Sequence, residues 1–517
     1  GRVPRERLPQ AQGRGTPGGR AAGRRHRLSH LAYDLGAGSG RATLGRFSEA
    51  GLELRELHRF HYPPVLASGH LRWPFATILA GVETGLAQAR EAASEPLESA
   101  GVCSWGVDYG LVDEAGRLVE DPIAYRDHRT DGAIERVLER LPRGEIFART
   151  GLQFLQFNTL FQLDAHARAG LPREARRLLM IPDLVHHALC GSTCGEYTNA
   201  STTQLLDVRT REWADELFSR LELPRALMPE LVEPGTPLGE LRPALREKLG
   251  IAALRVIAPP THDTASAVAG TPLEPGWAYL SSGTWSLLGV ERRAPLLGDD
   301  VARANFTNEG GAAGTIRLLK NVMGLWLLES CRREWEGTGR ARELDALLQA
   351  AAALGRSPGA VFPDDARFFN PESMTGALRA ALAETGQAAP EDPASLARVV
   401  LDSLALRYAS VVRTIESLTG EPVRGIHVVG GGCRNEYLNQ ATADASGRPV
   451  QAGPVEATAT GNLLLQAIAC GQLGSLAEGR ARVAGSVDLR RFEPRDGAAV
   501  TQLTARYREL EARALGS

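Results

Sequence analysis

The chain has 517 residues, 43% of them hydrophobic and 23% charged, which is the composition of an ordinary globular protein and enough length for two domains. Its formal net charge of −2 gives no reason to expect nucleic acid or an anionic membrane as a partner, and no apolar run approaches the ~18 residues that span a bilayer. The six cysteines show no CxxC pair and no zinc-binding spacing, which favours free thiols in a reducing cytoplasm.

Residues 1–30 differ in composition from the rest of the chain. They contain eight arginines and one acidic residue, are rich in Gly and Pro, and show no hydrophobic periodicity. A targeting peptide would need an amphipathic or apolar pattern, which this segment lacks. We therefore expect a disordered basic extension, with the folded chain beginning at Leu31.

The first predicted elements are strands around a glycine-rich turn. "LAYDLGAGSGRATLGRF" predicts two strands joined by that turn, and "LELRELHRF" predicts a third. A dinucleotide-binding fingerprint would need a helix after the glycines, and a P-loop would need Gly-Lys-Ser/Thr; neither follows. The turn is typical of a hairpin whose backbone N–H groups can hold phosphate, with Asp34 placed to hold hydrated Mg²⁺ through water. An ordinary β-turn explains the same residues equally well.

Helices and loops are predicted up to about residue 250. The segment 134–250 is expected to be mostly helical, with His186 and His187 on a helix surface. The loops "SWGVDYG" (104–110) and "AYRDHRTDG" (124–132) mix aromatic and charged side chains. Such mixtures suit a polyhydroxylated ligand, although surface loops often have the same composition.

The stretch "PPTHDTASAV", residues 259–268, follows an apolar strand and brings His262, Asp263 and Thr264 to its end. Asp and Thr are favoured helix N-caps, which is one explanation for their presence. The other is that a carboxylate held at a strand end, facing a cleft, can act as a general base. On these ten residues alone the cap is the simpler interpretation.

A second hairpin is predicted in "WAYLSSGTWSLLGVE", residues 277–291. Tyr279 lies 246 residues after Tyr33 in an equivalent strand–turn–strand pattern, which indicates two related halves. Thr284 in this turn can contact phosphate from the side opposite the first hairpin. Further along, Asn321 could simply cap a helix that begins near it.

The C-terminal part alternates helices and strands, which predicts an α/β domain with a largely parallel sheet. Between the strand "IHVV" and the next helix lies "GGGCRN", with three consecutive glycines at 430–432. Such backbone permits close approach of a flat ring such as adenine. The alternative is that the glycines only make a tight connection between the strand and the helix, but one glycine would normally be enough for that.

Taken together and in this order, the motifs resemble those of the FGGY carbohydrate kinases, a family with the actin-like ATPase fold. The matching segments run from about residue 31 to residue 490 and include "DLGAGSGR", "WGVDYGLVDEAG", "PIAYRDHRT", "GLQFLQFNTLFQL", "EYTNASTTQLLD", "THDTASAV", "YLSSGTWSLLG", "NEGG", "LLKNVMGLWLLE", "DSLALRYA" and "HVVGGGCRNEYLNQ". The resemblance implies an α/β fold of two actin-like (ribonuclease H-like) domains with an active-site cleft between them. The sugar-binding domain would span 31–271, the nucleotide-binding domain 272–490, and a C-terminal helix 491–517.

The resemblance also implies an activity: transfer of phosphate from ATP, with Mg²⁺, to the 1-hydroxyl of L-rhamnulose by a monomer or homodimer. The family's nucleotide contacts fall on Ala37, Gly38, Ser39, Gly40, Arg41, Thr284, Glu329 and Gly431. Its sugar contacts fall on Gly106, His262, Asp263, Thr264 and Asn321. Asp263 takes the position of the catalytic base.

Two departures from the family pattern bear on this site. Glu329 stands where glutamine is expected, which adds a negative charge at a nucleotide contact, and Cys103-Ser104 precedes Trp105 where Asp-Thr is usual. Two other functions stay open: a kinase for L-fuculose or another ketose, and a non-catalytic actin-like ATPase that serves as a scaffold. Asp263 within "THDT" disfavours the scaffold, which needs no base facing a sugar.

Overall fold

The structure, a computed structural model, describes residues 28–48, 51–340, 342–495 and 498–516, without the side chains of 498–501. Residues 1–27 of the expected basic extension lie outside this range. Ser29 and His30, which the sequence assigns to the extension, belong to the first strand instead. His30 is buried there, and its Nδ1 lies 2.7 Å from Ser99 Oγ, so the first strand begins earlier than predicted.

The first half of the chain contains most of the short elements. Its strands are β1 (Ser29–Gly36), β2 (Ser39–Ser48), β3 (Gly51–His61), β4 (Val65–Ala67), β5 (His70–Arg72), β6 (Leu97–Ser104), β7 (Tyr109–Val112), β8 (Arg177–Met180), β9 (Gly195–Glu196), β10 (Leu206–Asp207), β11 (Glu212–Trp213), β12 (Leu231–Val232), β13 (Thr236–Glu240) and β14 (Arg255–Ala258). Its helices are α1 (Phe75–Ala92), α2 (Ala133–Leu138), α3 (Arg143–Thr150), α4 (Thr159–Ala169), α5 (Ile181–Cys190), α6 (Tyr197–Ala200), α7 (Asp215–Arg220), α8 (Pro243–Leu249) and α9 (Asp263–Ala269). The segment 134–250 therefore carries short strands between its helices and is less helical than predicted.

The second half has longer helices around its sheet. Its strands are β15 (Ala278–Ser282), β16 (Trp285–Arg292), β17 (Thr307–Gly310), β18 (Ile316–Met323), β19 (Ile426–Val429), β20 (Val450–Ala452) and β21 (Arg490–Phe492). Its helices are α10 (Asp299–Arg303), α11 (Trp326–Gly337), α12 (Leu344–Ala352), α13 (Met374–Glu384), α14 (Pro393–Thr419), α15 (Glu436–Ser446), α16 (Ala457–Ala469), α17 (Leu476–Ala484) and α18 (Ala498–Leu515). The C-terminal helix expected at 491–517 begins at Ala498, because the chain first pairs with β20 as an edge strand.

Each half is built on one mixed β-sheet. The first has the strand order β13-β14-β6-β1-β2-β3 and the second β17-β18-β16-β15-β19-β20-β21. In the first, β1, β2 and β3 form an antiparallel meander and β6 and β14 add in parallel; β15, β16 and β18 with β19 and β20 repeat this arrangement. The repeat agrees with the two equivalent hairpins in the sequence. The meander also makes the second sheet mixed, so the expectation of a largely parallel sheet is wrong.

Helix α5 buries two histidines that were expected on a helix surface. His186 Nε2 accepts a hydrogen bond from the backbone N–H of Val102 at 3.0 Å, and burial lowers the pKa of His186 to about 3. His187 lies within 2.9 Å of the carbonyl oxygens of Ser192 and Gly116. Both rings lie inside the first half because α5 packs against β6 and not against solvent. None of the helices in the described part of the chain has the length and apolar character that a membrane span requires.

The two halves are joined where α9 crosses α16. A Cβ atom on Gly461 would lie 1.8 Å from the carbonyl oxygen of Ser266, and one on Gly270 would lie 2.2 Å from that of Ala457. The next residue of α16, Asn462, donates to the carbonyl oxygens of Gly101 (3.1 Å) and Tyr33 (3.4 Å) in the first sheet. A helix of the second half is thus packed, backbone to backbone, on the helix that begins with Asp263.

We expect Gly461→Ala to lower the melting temperature clearly, because the added methyl group forces the two helix backbones apart. Overpacking of this kind costs about 1–3 kcal/mol. Gly144→Ala is the matched control, since Gly144 is exposed on α3 with nothing within 4 Å of the added Cβ. Thermal unfolding of the two variants and the parent protein tests this. Equal melting temperatures for all three would contradict the close crossing.

Candidate active site

A cavity of about 210 Å³ lies between the two halves. Strands β1, β6 and β14 contribute their ends on one side, and β15, β16 and β18 on the other. Of the residues predicted from the sequence, the structure brings together seven on its wall: Ala37, Gly106, His262, Asp263, Thr264, Thr284 and Asn321. Residues separated by more than 280 positions in the chain therefore meet at one site.

Asp263 is the first residue of α9, the helix that follows β14 after a short connection. Its Oδ1 accepts hydrogen bonds from Thr264 N at 2.6 Å and Thr264 Oγ1 at 3.3 Å. Among the residues that the structure describes, only Oδ1 has such partners, so Oδ2 stays available to a ligand. The N-cap position is His262. Asp263 therefore does not have the capping role that its sequence context favours.

The charge state of Asp263 depends on its surroundings. Burial raises the pKa of this carboxyl group, and the nearby Asp34 carboxylate adds to the effect. About a third of the side chain, 31%, still contacts solvent through the cavity. A carboxylate with a raised pKa, one free oxygen and access to a cavity is suited to accept a proton from a bound hydroxyl group.

His262 is held from behind by a buried ion pair. Arg317 Nη2 lies 3.0 Å from His262 Nδ1 and 3.0 Å from Glu309 Oε2. Burial alone would raise the pKa of Glu309, but the positive charge of the Arg317 guanidinium opposes this and the pKa lies below its usual value. Both charged groups are almost entirely buried, so each depends on the other for compensation.

The glycine-rich turn between β1 and β2 has backbone open to a ligand. Gly38 has a φ of +127°, and no atom lies within 4 Å of the position of a Cβ. Gly40 has a different reason to be glycine, because its Cβ would lie 2.5 Å from the ring of Phe60. The turn therefore has the shape of a phosphate cradle at Ala37 and Gly38, while Gly40 serves packing.

Two further loops approach the cavity from the second half. Thr284 lies in the β15–β16 turn and lines the cavity. The triple-glycine loop packs directly behind this hairpin, since a Cβ on Gly432 would lie 2.0 Å from Ser282 Oγ. Gly431 beside it is exposed and has open space around it. The loop thus leaves room for a flat group at Gly431, close to the second hairpin.

Asp34 and Arg41 form an ion pair across the first hairpin. Arg41 Nη2 lies 2.6 Å from Asp34 Oδ2, and Arg41 Nη1 lies 2.7 Å from Glu456 Oε2 at the start of α16. Within the described residues, no group of three or more His, Cys, Asp or Glu side chains is arranged to hold a metal ion directly. A divalent cation at Asp34 would keep most of its water ligands, as Mg²⁺ commonly does.

The sugar-side residues pack closely against one another. Asn321 lies in β18, so it does not cap a helix; its backbone N–H and Nδ2 donate to Gln153 Oε1 at 2.9 and 3.2 Å. A Cβ on Gly106 would lie 2.8 Å from Thr202 Oγ1, so only glycine lets this loop approach Thr202. These contacts fix the amide of Asn321 and the backbone at Gly106 toward the cavity.

Several predicted site residues lie off the cavity wall. Ser39, Gly40 and Arg41 lie at the start of β2, and Gly431 lies in the triple-glycine loop. Glu329 is exposed on α11 and paired with Arg332 at 2.8 Å. The unusual Cys103 and Ser104 are both buried behind the cavity. Cys103 Sγ donates to the Tyr33 carbonyl oxygen at 3.2 Å, and Ser104 Oγ to that of Trp105 at 2.8 Å. Neither contributes to the cavity wall.

Other cavity residues were not assigned individually from the sequence. They include Trp105 and Tyr125, which lie in the two loops expected to suit a polyhydroxylated ligand, and Gln153, Phe157, Asn158, Thr202, Trp285 and Glu309. Trp105 is fixed by the buried Asp108, whose Oδ2 accepts from the indole N–H groups of Trp105 (3.0 Å) and Trp73 (2.7 Å). The sequence does show an acidic residue, Asp108, in an apolar segment three positions after Trp105. Its other partner, Trp73, is 35 residues away in the chain, so this hydrogen bond could not be predicted from the local pattern.

An aromatic cluster closes the far side of the cavity. The rings of Phe157 and Trp285 are 5.4 Å apart, and Phe369 stacks on Phe157 at 6.0 Å with an interplanar angle of 9°. Arg126 Nη1 donates to the Phe369 carbonyl oxygen at 2.8 Å and its guanidinium lies 4.1 Å from the ring of Trp326. Residues of both halves thus meet at this end.

Comparison with known proteins is consistent with this geometry. The model of the N-terminal domain of the FGGY family of carbohydrate kinases matches residues 31–270, and that of the C-terminal domain matches residues 278–470. Curated relatives named rhamnulokinase include one from Pectobacterium carotovorum, 44% identical over 90% of this chain and 93% of the relative. Another, from Bacillus subtilis, is 38% identical over 91% of this chain and 96% of the relative.

Solved structures share the fold at low sequence identity. Gluconate kinase from Lactobacillus acidophilus has a TM-score of 0.78 at 14% identity, covering 95% of this chain and 99% of that one. Glycerol kinase from Plasmodium falciparum, solved with ADP, has a TM-score of 0.74 at 14% identity, covering 95% and 98%. These likenesses confirm the predicted fold of two actin-like domains.

Proposed function

The chain belongs to the FGGY family of carbohydrate kinases, and we propose that it transfers the terminal phosphate of ATP to the 1-hydroxyl of L-rhamnulose, giving ADP and L-rhamnulose 1-phosphate. The observation that carries this proposal is Asp263, a carboxylate with one free oxygen in the cavity between the halves. The curated relatives named rhamnulokinase support the choice of sugar.

Asp263 is the general base in this proposal. Its Oδ2 accepts the proton of the sugar 1-hydroxyl as that oxygen forms a bond to the terminal phosphorus of ATP, and the bond from phosphorus to the departing ADP oxygen breaks. The raised pKa makes the carboxylate a better proton acceptor than an ordinary surface Asp. Positioning and charge stabilisation carry most of phosphoryl-transfer catalysis, so the base is one contribution among several.

The nucleotide would be held by loops of both halves. The open backbone at Ala37 and Gly38 faces the phosphates from the first half, and Thr284 approaches them from the second. The space at Gly431 accommodates the adenosine part. When bound, Mg²⁺ would neutralise charge on the phosphates, and Asp34 would hold its water ligands. On this assignment 31–271 is the sugar-binding domain and 272–490 the nucleotide-binding domain.

The sugar would lie between Trp105, Gln153 and Asn321. The Asn321 side chain donates its Nδ2–H to Gln153 Oε1. Its amide oxygen is therefore left to accept a hydrogen bond from a sugar hydroxyl. Thr264 and His262 flank the reacting end beside Asp263. Because six free cysteines suit a reducing compartment, we place this small-molecule kinase in the cytoplasm.

Replacing the base should remove most turnover. We expect Asp263→Asn to keep the fold and most sugar binding while kcat falls about 10²–10⁴-fold, the usual contribution of a general base. Asp131→Asn is the control, since Asp131 is 61% exposed and does not line the cavity. A coupled ADP assay with ATP and L-rhamnulose measures the effect. Retention of more than a tenth of parental kcat would reject Asp263 as the base.

The raised pKa of Asp263 predicts where activity fails at low pH. The base works only when ionised, so kcat/KM should fall as pH drops through its pKa, which lies above the ordinary carboxyl value of about 4. The rate is measured from pH 4 upward at saturating MgATP. The residual activity of Asp263→Asn should lack this acid limb, and an identical limb in both proteins would assign the titration to another group.

Substrate choice should depend on the sugar-side amides. L-Rhamnulose and L-fuculose share the reactive 1-hydroxyl and differ only in hydroxyl configuration, so Asp263 cannot distinguish them. A sugar hydroxyl of the wrong configuration leaves the buried protein group that should bind it without a hydrogen bond. Each such unpaired group costs about 1–3 kcal/mol. We expect kcat/KM to be at least about tenfold higher for L-rhamnulose than for L-fuculose. Asn321→Ala should reduce this ratio.

The ADP assay across a panel of ketoses and their parent aldoses tests this preference. Equal or faster phosphorylation of L-fuculose would overturn the assigned substrate and leave the kinase assignment intact. An unchanged ratio in Asn321→Ala would show that Asn321 does not read the configuration.

A further inference from the structure

Arg317 makes an unusual contact for a residue beside an active site: it points at a ring nitrogen of His262. The guanidinium is fully buried, with Nη2 at 3.0 Å from His262 Nδ1 and Nε at 2.9 Å from the Gly310 carbonyl oxygen. Glu309 Oε2, also at 3.0 Å from Nη2, supplies the opposite charge. The three groups hold Arg317 in one orientation behind His262.

This contact decides which ring nitrogen of His262 carries the proton. A guanidinium has only hydrogen-bond donors and stays charged in proteins. A protonated Nδ1 would place two donors 3.0 Å apart, so Nδ1 must be the acceptor. A neutral imidazole with an acceptor at Nδ1 carries its proton on Nε2. That nitrogen lies on the cavity side, 3.4 Å from Asp263 Oδ1.

We propose that Arg317 is a positioning residue that fixes His262 as the Nε2–H tautomer, so that His262 directs a donor at Asp263 Oδ1 and leaves Oδ2 as the proton acceptor. The tautomer follows from the contacts alone, whereas its kinetic consequence rests on the proposed kinase function. Arg317 touches neither sugar nor nucleotide in this scheme and acts only through His262. Glu309 keeps the guanidinium in place by compensating its charge.

Glu309 also provides the alternative that Arg317 prevents. Its Oε2 lies 3.4 Å from His262 Nδ1 and would accept a proton from it if the guanidinium were absent. The ring would then carry its proton on Nδ1 and present the Nε2 lone pair to the Asp263 carboxylate. Two acceptors would face each other at 3.4 Å, and their repulsion would displace the carboxylate that Thr264 alone would then hold.

The first test measures the tautomer directly in the intact protein. Spectra of the ¹⁵N-histidine-labelled chain, with the His262 signals identified by their loss in His262→Gln, should show a protonated Nε2 and an unprotonated Nδ1. Arg317→Met should move the proton to Nδ1, and Arg317→Lys, which keeps a cationic group with only hydrogen-bond donors, should retain the parental tautomer. A protonated Nδ1 in the parental protein would overturn the proposal, whatever the stability of the variants.

The second test measures the consequence for catalysis. Arg317→Met should lower kcat on L-rhamnulose about 10–100-fold with KM changed less than about threefold, the size of effect expected when a catalytic group is misplaced. Arg317→Lys should recover most of the loss. In a His262→Gln background the same Arg317→Met change should cost less than about twofold, because the two residues act as one unit.

An undiminished effect of Arg317→Met in the His262→Gln background would refute action through His262. Melting temperatures of all variants separate loss of folded protein from loss of orientation. If the parental protein phosphorylates no ketose, the kinase proposal fails, and the spectra still decide the tautomer.

Discussion

Gly461 brings the backbone of α16 against that of α9, and the arrangement of the active site depends on this contact. Because α16 belongs to the second half but lies on the first sheet, the two halves share a helix crossing that no side chain separates. Helix α9 begins with Asp263, so the base lies on the helix at which the backbones of the two halves touch. Arg41 and Glu456 add an ion pair beside the same crossing.

Burial at this junction forces the charged groups to pair. Arg317 and Glu309 compensate each other, and Asp108 is satisfied by indole N–H groups. A buried charge without a partner costs several kcal/mol, so each of these arrangements tolerates little change. Asp263 is the exception, with one oxygen held by Thr264 and the other left free. The same desolvation that makes pairing obligatory elsewhere raises the pKa of Asp263 and makes it a base.

The sequence predicted the parts of this site that depend on local pattern. Glycine turns between alternating strands and a His-Asp-Thr run after an apolar strand are local signals, and the structure places Ala37, Thr284 and Asp263 on one cavity. What it could not predict are contacts over long separations. Asn321 donates a hydrogen bond to Gln153 across 168 positions of the chain, and the sequence around either residue does not indicate the other. The burial of His186 was missed for the same reason, because its partner lies on β6.

The effect of Glu329, which stands where the family has glutamine, depends on where the side chain lies in the fold. From the sequence, a carboxylate at a nucleotide contact implies repulsion of phosphate. In the structure Glu329 is exposed on α11 and pairs with Arg332 one turn away, so its charge is compensated locally and screened by solvent. A carboxylate that is paired and exposed in this way repels phosphate only weakly. At the aromatic end of the cavity the halves meet more closely, because Arg126 donates to the Phe369 carbonyl oxygen and the Phe369 ring stacks on Phe157.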